Sequence, residues 1–167
     1  TFRLNYTQLF PTVYLQYAAS EKHSWVINYG RRIRRPDYES LNPFVEFLDR
    51  YTFEQGNPNL RPQFSHNVEL SHTFKGFLTT TLNYTNTNNI IQQVLEQNTD
   101  QQETFVKQAN IASQRQYGVA VSAFKQIKSF GGNIYVNVYN NQFKGLVNNT
   151  NVKLGATTAV FSASANY

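Results

Sequence analysis

The stretch that decides the fold is Ser65-His-Asn-Val-Glu-Leu-Ser-His-Thr-Phe-Lys-Gly-Phe-Leu-Thr-Thr-Thr-Leu-Asn-Tyr84. On both sides of Lys75-Gly76, large apolar or aromatic residues recur at every second position. One face of the stretch carries His66, Val68, Leu70, His72, Phe74, Leu78, Leu82 and Tyr84. A period of two is typical of a β-strand with one apolar face, and a two-residue turn containing Gly is typical of a hairpin. The stretch therefore predicts two antiparallel strands.

The same alternation runs through most of the chain. It predicts an all-β protein, an antiparallel up-and-down meander of about seven strands. The expected strands cover residues 10–20, 24–35, 64–74, 77–96, 103–127, 133–144 and 152–167. Gly118 and Gly155 fall inside two of these strands, where glycine often marks a kink or bulge.

The composition of the 167 residues agrees with a β-rich fold and excludes several other classes. Charged residues make up 15%, while the chain has 20 Asn, 14 Gln, 13 Phe and 11 Tyr. Ordinary globular domains have about 25% charged residues, and disordered chains are poor in aromatics. The chain has no Cys, which excludes disulfides, thiolate metal sites and a Cys nucleophile. No apolar run is long enough for a transmembrane helix.

The connections between the predicted strands differ in length in a regular way. Residues 21–24, 75–76 and 128–132 form short turns, whereas 36–63, 97–102 and 145–151 form longer loops. Successive antiparallel strands place alternate connections at opposite ends of the sheet, and outer-membrane barrels have short turns at one end and long loops at the other. An 11-residue strand tilted near 45° spans roughly 26 Å, which matches the apolar band of such barrels. The two longest strands are expected to project beyond the membrane.

A more specific signal lies around the long loop 36–63. Tyr29-Gly-Arg-Arg-Ile-Arg-Arg-Pro-Asp-Tyr-Glu-Ser-Leu-Asn-Pro-Phe44 is followed by Tyr51-Thr-Phe-Glu-Gln-Gly-Asn-Pro-Asn-Leu-Arg-Pro62 and then by a strand. This arrangement resembles the outer-membrane β-barrel family of TonB-dependent receptors of Bacteroidetes-type bacteria. The resemblance at the level of motifs covers about residues 10–85.

The resemblance implies a 22-stranded barrel with an N-terminal plug, located in the bacterial cell outer membrane. Such a receptor imports a nutrient ligand with energy passed on by TonB. The chain has about seven strands, no plug and no TonB box, so residues 1–167 are expected to be a partial barrel domain. Its expected partners are outer-membrane lipid, the missing barrel strands and plug, TonB through that plug, and the nutrient ligand.

Candidate ligand-binding residues lie in the loop and in the basic segment before it. The loop carries Tyr38, Phe44, Phe47, Tyr51 and Phe53 for stacking, and Arg50 among its charged residues; we take Tyr38, Arg50 and Tyr51 as ligand-contact candidates. Strand alternation aims Arg32 and Arg34 into the barrel lumen. There they could meet an anionic ligand or plug carboxylates. The alternatives are pairing with Asp37, Glu39 or Glu69, or with lipopolysaccharide phosphates at the rim.

Trp25, Phe74 and Phe77 lie near the short turns and are expected to mark the periplasmic membrane boundary. The alternative is ordinary sheet packing. His23, His66 and His72 are too scattered to predict a metal site. No catalytic constellation, phosphate loop or paired acid motif occurs, so neither an enzyme nor a cofactor is expected. The net charge of +5 is local to the Arg cluster, and nucleic acid is not an expected partner.

A second hypothesis is a soluble β-rich module that binds carbohydrate through Tyr and Trp. The two hypotheses predict different surroundings for the apolar stripe of Val13, Leu15, Ile27, Leu70, Leu82 and Val121. A membrane barrel presents these residues to lipid, whereas a soluble sandwich buries them in a dry core.

Overall fold

The computed structural model of the chain describes residues 7–98, 102–147 and 150–167. Within these ranges nine strands form one sheet, and a single four-residue helix is present. The strands are β1 (Thr12–Ser20), β2 (His23–Arg34), β3 (Val45–Asp49), β4 (Thr52–Gln55), β5 (Gln63–Phe74), β6 (Leu78–Asn98), β7 (Glu103–Ile127), β8 (Phe130–Val147) and β9 (Thr150–Asn166), and the helix is α1 (Tyr38–Leu41). No helix of the described residues is both long and apolar enough to cross a membrane.

Seven of the strands form the predicted meander. β1, β2, β5, β6, β7, β8 and β9 are adjacent in this order, and every neighbouring pair is antiparallel. The turn between β5 and β6 has φ of 48° at Lys75 and 70° at Gly76. Two successive positive φ values are the geometry of the two-residue turn that matches the twist of a hairpin. The all-β, up-and-down prediction is confirmed.

The meander has one apolar face, because the register aligns the apolar positions of neighbouring strands. One continuous row of cross-strand partners consists of Leu15, Ile27, Leu70, Leu82, Val119, Val138 and Ala159. Leu15 is 61% exposed and Ile27 is 45% exposed. In a soluble sandwich this row would meet a second sheet. The soluble-module alternative is therefore not supported, and we call this face the outward face.

The opposite face of the meander carries mostly polar residues. One of its rows of partners runs through Asn28, Glu69, Asn83, Gly118, Tyr139 and Thr158. Hydroxyl pairs link neighbouring strands along it, with Ser71 Oγ and Thr81 Oγ1 at 2.9 Å and Thr73 Oγ1 and Thr79 Oγ1 at 3.1 Å. Polar side chains paired in this way suit the wet interior of a barrel, and we call this face the lumen face.

The long loop contains regular structure that the sequence reasoning missed. The sequence left a short helix at residues 43–49 possible, and no helix forms there. The helix lies earlier, at α1, and Val45–Asp49 is strand β3, which pairs antiparallel with β4. Pro43 disfavours helical geometry at the residue before it, which explains why the helix ends ahead of the proline. The remaining two connections, 97–102 and 145–151, fall partly outside the described residues.

Strands β6 and β7 are the longest, with 21 and 25 residues, as expected for a hairpin that projects beyond the membrane. Their pairing is irregular between Thr87 and Ile91, where Asn89 has φ of 56°. The buried apolar side chains of the described residues are clustered near this irregularity; they are Leu60, Ile90, Ile91 and Val106. The small dry core of the chain therefore lies at the loop end of the sheet.

Gly118 does not mark a bulge, contrary to the expectation from its position inside a strand. It pairs regularly with Asn83 on one side and Tyr139 on the other. A Cβ at residue 118 would lie 2.7 Å from Tyr139 Cβ and 2.9 Å from Val138 O. Glycine is thus required at this place for close packing of the lumen face.

We expect Gly118→Ala to destabilise the folded protein by about 1–3 kcal/mol, because the added methyl group overlaps β8 and the neighbouring strand must shift. Gly30→Ala is the matched control, since a Cβ at residue 30 meets no atom within 4 Å; its effect should stay within about 0.5 kcal/mol. Urea unfolding of the full-length protein in detergent measures both. Equal midpoints for the two variants would contradict the packing role of Gly118.

Candidate functional site

The long loop is joined to the sheet through strand β4. β4 runs parallel to the start of β7, with Thr52 to Gln55 opposite Thr104 to Lys107. The Thr104 amide donates to Tyr51 O at 2.8 Å. The Phe53 ring stacks on the Phe105 ring with centroids 5.5 Å apart, and the Phe47 ring meets Phe53 edge-on at 5.8 Å. The loop hairpin is therefore a lateral extension of the sheet.

A second attachment holds the end of the loop. Asn57 Nδ2 donates to Gln108 O at 3.0 Å. Asn110 closes a two-way contact with Arg61, because the Arg61 amide donates to Asn110 Oδ1 at 2.7 Å and Asn110 Nδ2 donates to Arg61 O at 2.9 Å. Leu60 lies between these two attachments and is 1% exposed. The Gly-Asn-Pro-Asn-Leu segment thus anchors the loop on β7.

The structure places the three loop candidates at two ends of the β3–β4 hairpin. Arg50 and Tyr51 form the turn between the strands, and the Arg50 guanidinium carbon lies 5.6 Å from the centre of the Tyr51 ring. Tyr51 is 51% exposed. Tyr38 begins α1, near the opposite end of the hairpin, and is 86% exposed. Arg50 and Tyr51 are brought together, and Tyr38 lies apart from them.

Asp49 fixes the conformation of the hairpin turn. Its Oδ1 accepts a hydrogen bond from the Tyr51 amide at 2.9 Å. This backbone hydrogen bond and a second one from the Thr52 side chain lower the pKa of the Asp49 carboxyl below its ordinary value. Because the carboxylate accepts from the Tyr51 amide, it holds Tyr51 and its neighbour Arg50 in place.

The loop presents an apolar and aromatic surface to solvent. Its exposed large side chains are Tyr38, Phe44, Val45, Phe47, Leu48 and Tyr51. Phe53, which the sequence grouped with them, is half-buried against Phe105 and serves to hold the loop. Exposed aromatic patches of this kind on a soluble surface mark contact sites for ligands or other chains.

A polar cavity of about 260 Å³ lies between the loop and the β6–β7 hairpin. Glu46 and Glu54 are direct cross-strand partners at this cavity, and Glu39 also lines it. Lys107 lines the same cavity, but its Nζ is bound to Glu96 Oε2 at 2.7 Å. Sequence reasoning missed this cluster, because its residues come together only when β3 pairs with β4 and β4 pairs with β7.

Arg32 and Arg34 lie on the lumen face, as their alternation predicts. They are register partners of Ser65 and Gln63. Arg32 lines a depression of about 380 Å³ together with Glu69 and other residues of β1, β2, β5 and β6. Neither guanidinium is within 4 Å of a carboxylate among the described residues, so the alternative of pairing with Asp37, Glu39 or Glu69 is not seen.

The aromatic residues near the short turns form a cluster on the outward face. The Trp25 and His72 rings stack with centroids 4.3 Å apart, and Phe74 and Phe77 meet at 6.0 Å. His72 Nε2 also lies 3.0 Å from His23 Nδ1. Trp25 is 39% exposed and Phe77 is 37% exposed. The histidines pair with each other here, and no group of three metal-ligating side chains occurs among the described residues.

Comparisons with known proteins agree with this geometry. The family model described as "Outer membrane protein beta-barrel family" matches residues 1–167. The siderophore receptor PirA from Pseudomonas aeruginosa is similar in structure, with a TM-score of 0.66 and 15% identity over 93% of this chain and 35% of that chain. No curated protein sequence matches the chain.

The ferric enterobactin receptor PfeA is a second neighbour. A mutant of it from Pseudomonas aeruginosa in complex with enterobactin has a TM-score of 0.58 and 13% identity, over 95% of this chain and 32% of that chain. The chain thus spans about a third of the length of these solved receptors. At these identities the likeness concerns the fold.

We expect Leu60→Ala to loosen the loop from β7, because emptying this buried position removes packing worth about 2–5 kcal/mol. Leu48→Ala is the matched control in the same loop, since Leu48 is 50% exposed. Limited proteolysis with a protease that cuts after aromatic residues should cleave the loop much faster in the Leu60 variant only. Equal cleavage of both variants would show that Leu60 does not hold the loop.

Proposed function

The chain belongs to the outer membrane protein beta-barrel family, and we propose that it forms part of the barrel wall of a TonB-dependent receptor that imports a nutrient ligand. Family membership places the strands in the bacterial outer membrane. The observation that carries the receptor role is the loop hairpin, which the β4–β7 pairing joins to the sheet. A rigid scaffold that presents an aromatic surface at its long-loop end is an arrangement suited to binding.

The ligand site proposed here lies on the loop. Tyr38 and Tyr51 offer exposed rings, and Arg50 holds its guanidinium over the Tyr51 ring. A guanidinium held in this way keeps its outer N–H groups free to bind an oxygen-rich anionic ligand, while the rings contribute stacking area. Two solved neighbours are named a siderophore receptor and a ferric enterobactin receptor. Iron-carrying ligands are therefore the first class of ligand to test.

The lumen face supplies the second part of the proposed mechanism. Arg32 and Glu69 line one depression with polar neighbours, so the wall has hydrogen-bonding groups and charges of both signs. We expect this wall to contact the plug of the full-length receptor, with Arg32 and Arg34 facing plug carboxylates or an anionic ligand in transit. TonB would act on that plug from the short-turn end of the barrel.

The competing role for the loop is that of a structural lid. The Phe47–Phe53–Phe105 contacts favour it, because they use aromatic residues of the loop for attachment. The two roles differ in what they require of the exposed residues. A lid needs the attached aromatics, whereas a ligand site needs Tyr38, Arg50 and Tyr51.

We expect Tyr38→Ala, Arg50→Ala and Tyr51→Ala in the full-length receptor each to weaken ligand binding by about tenfold, the size of a single anchor contact near 1.4 kcal/mol. Cells expressing the variants at matched surface levels would be assayed with iron-loaded enterobactin and a panel of other ferric siderophores. A receptor lacking residues 45–55 should lose binding. Cells without TonB should bind the ligand but not accumulate it.

Lys22→Ala is the control, because Lys22 lies in the short turn at the other end of the sheet. If ligand binding is unchanged in all loop variants, the loop has a structural role and does not bind the ligand. Accumulation that does not depend on TonB would overturn the proposed receptor class.

A further inference from the structure

Three cations from three successive strands converge on the outward face. Arg115 is the partner of Gln142, and Lys144 is the partner of Lys153. Because Gln142 and Lys144 are two positions apart on β8, the side chains of all three cations point to the same side of the sheet. Arg115, Lys144 and Lys153 are exposed. We call these three residues the outward basic patch.

Among the described residues, the patch has no acidic neighbour that neutralises it. Strand alternation and register put no Asp or Glu on the outward face of β1, β2, β5, β8 and β9, of β6 up to Thr87, or of β7 from Ala112 onward. None of the three cations forms an ion pair with a described carboxylate. Lys144 and Lys153 are directly opposite each other, an arrangement of like charges that destabilises a sheet unless an anion lies between them.

The position of the patch along the strands places it beyond the apolar band. Phe130, which is 53% exposed, lies on the outward face beside the short turn before β8. Fourteen positions separate Phe130 from Lys144, which is about 48 Å along the strand and roughly 34 Å along the membrane normal at a tilt of 45°. The apolar band of an outer-membrane barrel is about 25 Å tall. Lys144 therefore lies at the depth of the lipid headgroups on the long-loop side.

The residues around the patch supply hydrogen-bonding groups and space. Gln142 Nε2 donates to the Tyr117 hydroxyl at 2.8 Å, so Tyr117 lies at the lower border of the patch. Gly155 is the partner of Gln142, and a Cβ there would meet only Asn141 O, at 3.9 Å. The surface beside the three cations is therefore shallow and open to a group arriving from the lipid side.

We infer that the outward basic patch binds the phosphate-bearing headgroup of a lipid in the outer leaflet. A phosphate group accepts several charge-assisted hydrogen bonds at once, and Arg and Lys are its usual protein ligands. The occupant is a lipid because the patch opens sideways from the barrel, at headgroup depth, above the apolar band. The inference rests on the outer-membrane location of the strands and does not depend on which ligand the receptor imports.

The test uses the full-length protein in detergent micelles containing lipid A, either with its phosphates or after their removal. We expect the wild-type protein to retain phosphorylated lipid A in preference to the dephosphorylated form. Each cation changed to Gln should weaken retention about fivefold, the effect of roughly 1 kcal/mol per basic residue near a membrane surface. The triple variant Arg115→Gln, Lys144→Gln, Lys153→Gln should then lose about a hundredfold.

Two control variants separate this site from general electrostatics and from misfolding. Lys125→Gln removes a cation from the same face at the short-turn end, and its retention of lipid should equal that of the wild type. Lys144→Arg with Lys153→Arg keeps both charges and should also retain lipid. The inference would be overturned if the triple variant still retained phosphorylated lipid A, or if the Lys125 variant lost as much of it as the triple variant. Displacement of lipid by millimolar inorganic phosphate would show a free-anion site instead and would overturn it as well.

Discussion

Backbone pairing within the sheet is the constraint on which the rest of this structure depends. Hydrocarbon offers no partner for an N–H or C=O group, so a membrane strand must satisfy both of its edges with neighbouring strands. The central meander strands of this chain do so through long regular registers, as in the twelve consecutive partners between β2 and β5. Because side chains alternate with a period of two, a fixed register also decides which residues meet lipid and which meet the lumen. A slip of one position between β2 and β5 would place Glu69 opposite Ile27.

The same constraint explains how the long loop comes to be part of the sheet. One edge of β7 pairs with β6, while its other edge is shared between β4 at residues 104–107 and β8 at residues 112–127. Asn110 lies between the two partners, and its side-chain amide donates to Arg61 O and to Asn89 O. The loop hairpin thus covers the part of β7 that β8 leaves unpaired, beyond the membrane. This attachment gives the exposed rings of Tyr38 and Tyr51 a rigid base.

Charge is separated between the surfaces of the sheet. Glu69 lies on the lumen face, and Glu39, Glu46 and Glu54 lie around the loop cavity. On the membrane-spanning side of the β6–β7 irregularity, the outward face of the described strands carries cations without acids, and three of these cations meet at the outward basic patch. Acidic groups are thus confined to surfaces that water reaches, and basic side chains long enough to extend along the surface occupy the boundary with lipid headgroups. One sheet can in this way offer different chemistry to lipid, lumen and extracellular ligand.

The sequence by itself determined the seven meander strands and the Lys75-Gly76 turn. It also determined that Arg32 and Arg34 lie on the lumen face and that the long loops lie at the end of the sheet opposite the short turns. These features follow from the period-two pattern and from turn chemistry, both of which act between residues close in the chain. Only the tertiary structure decided that residues 45–55 form two strands, that β4 pairs with β7 and that Gly118 serves close packing instead of a bulge. It also decided which cations converge, since Arg115, Lys144 and Lys153 come from three strands. Such contacts depend on alignment between segments up to about fifty residues apart, and a local pattern does not specify that alignment because a short strand such as β4 fits many partners equally well.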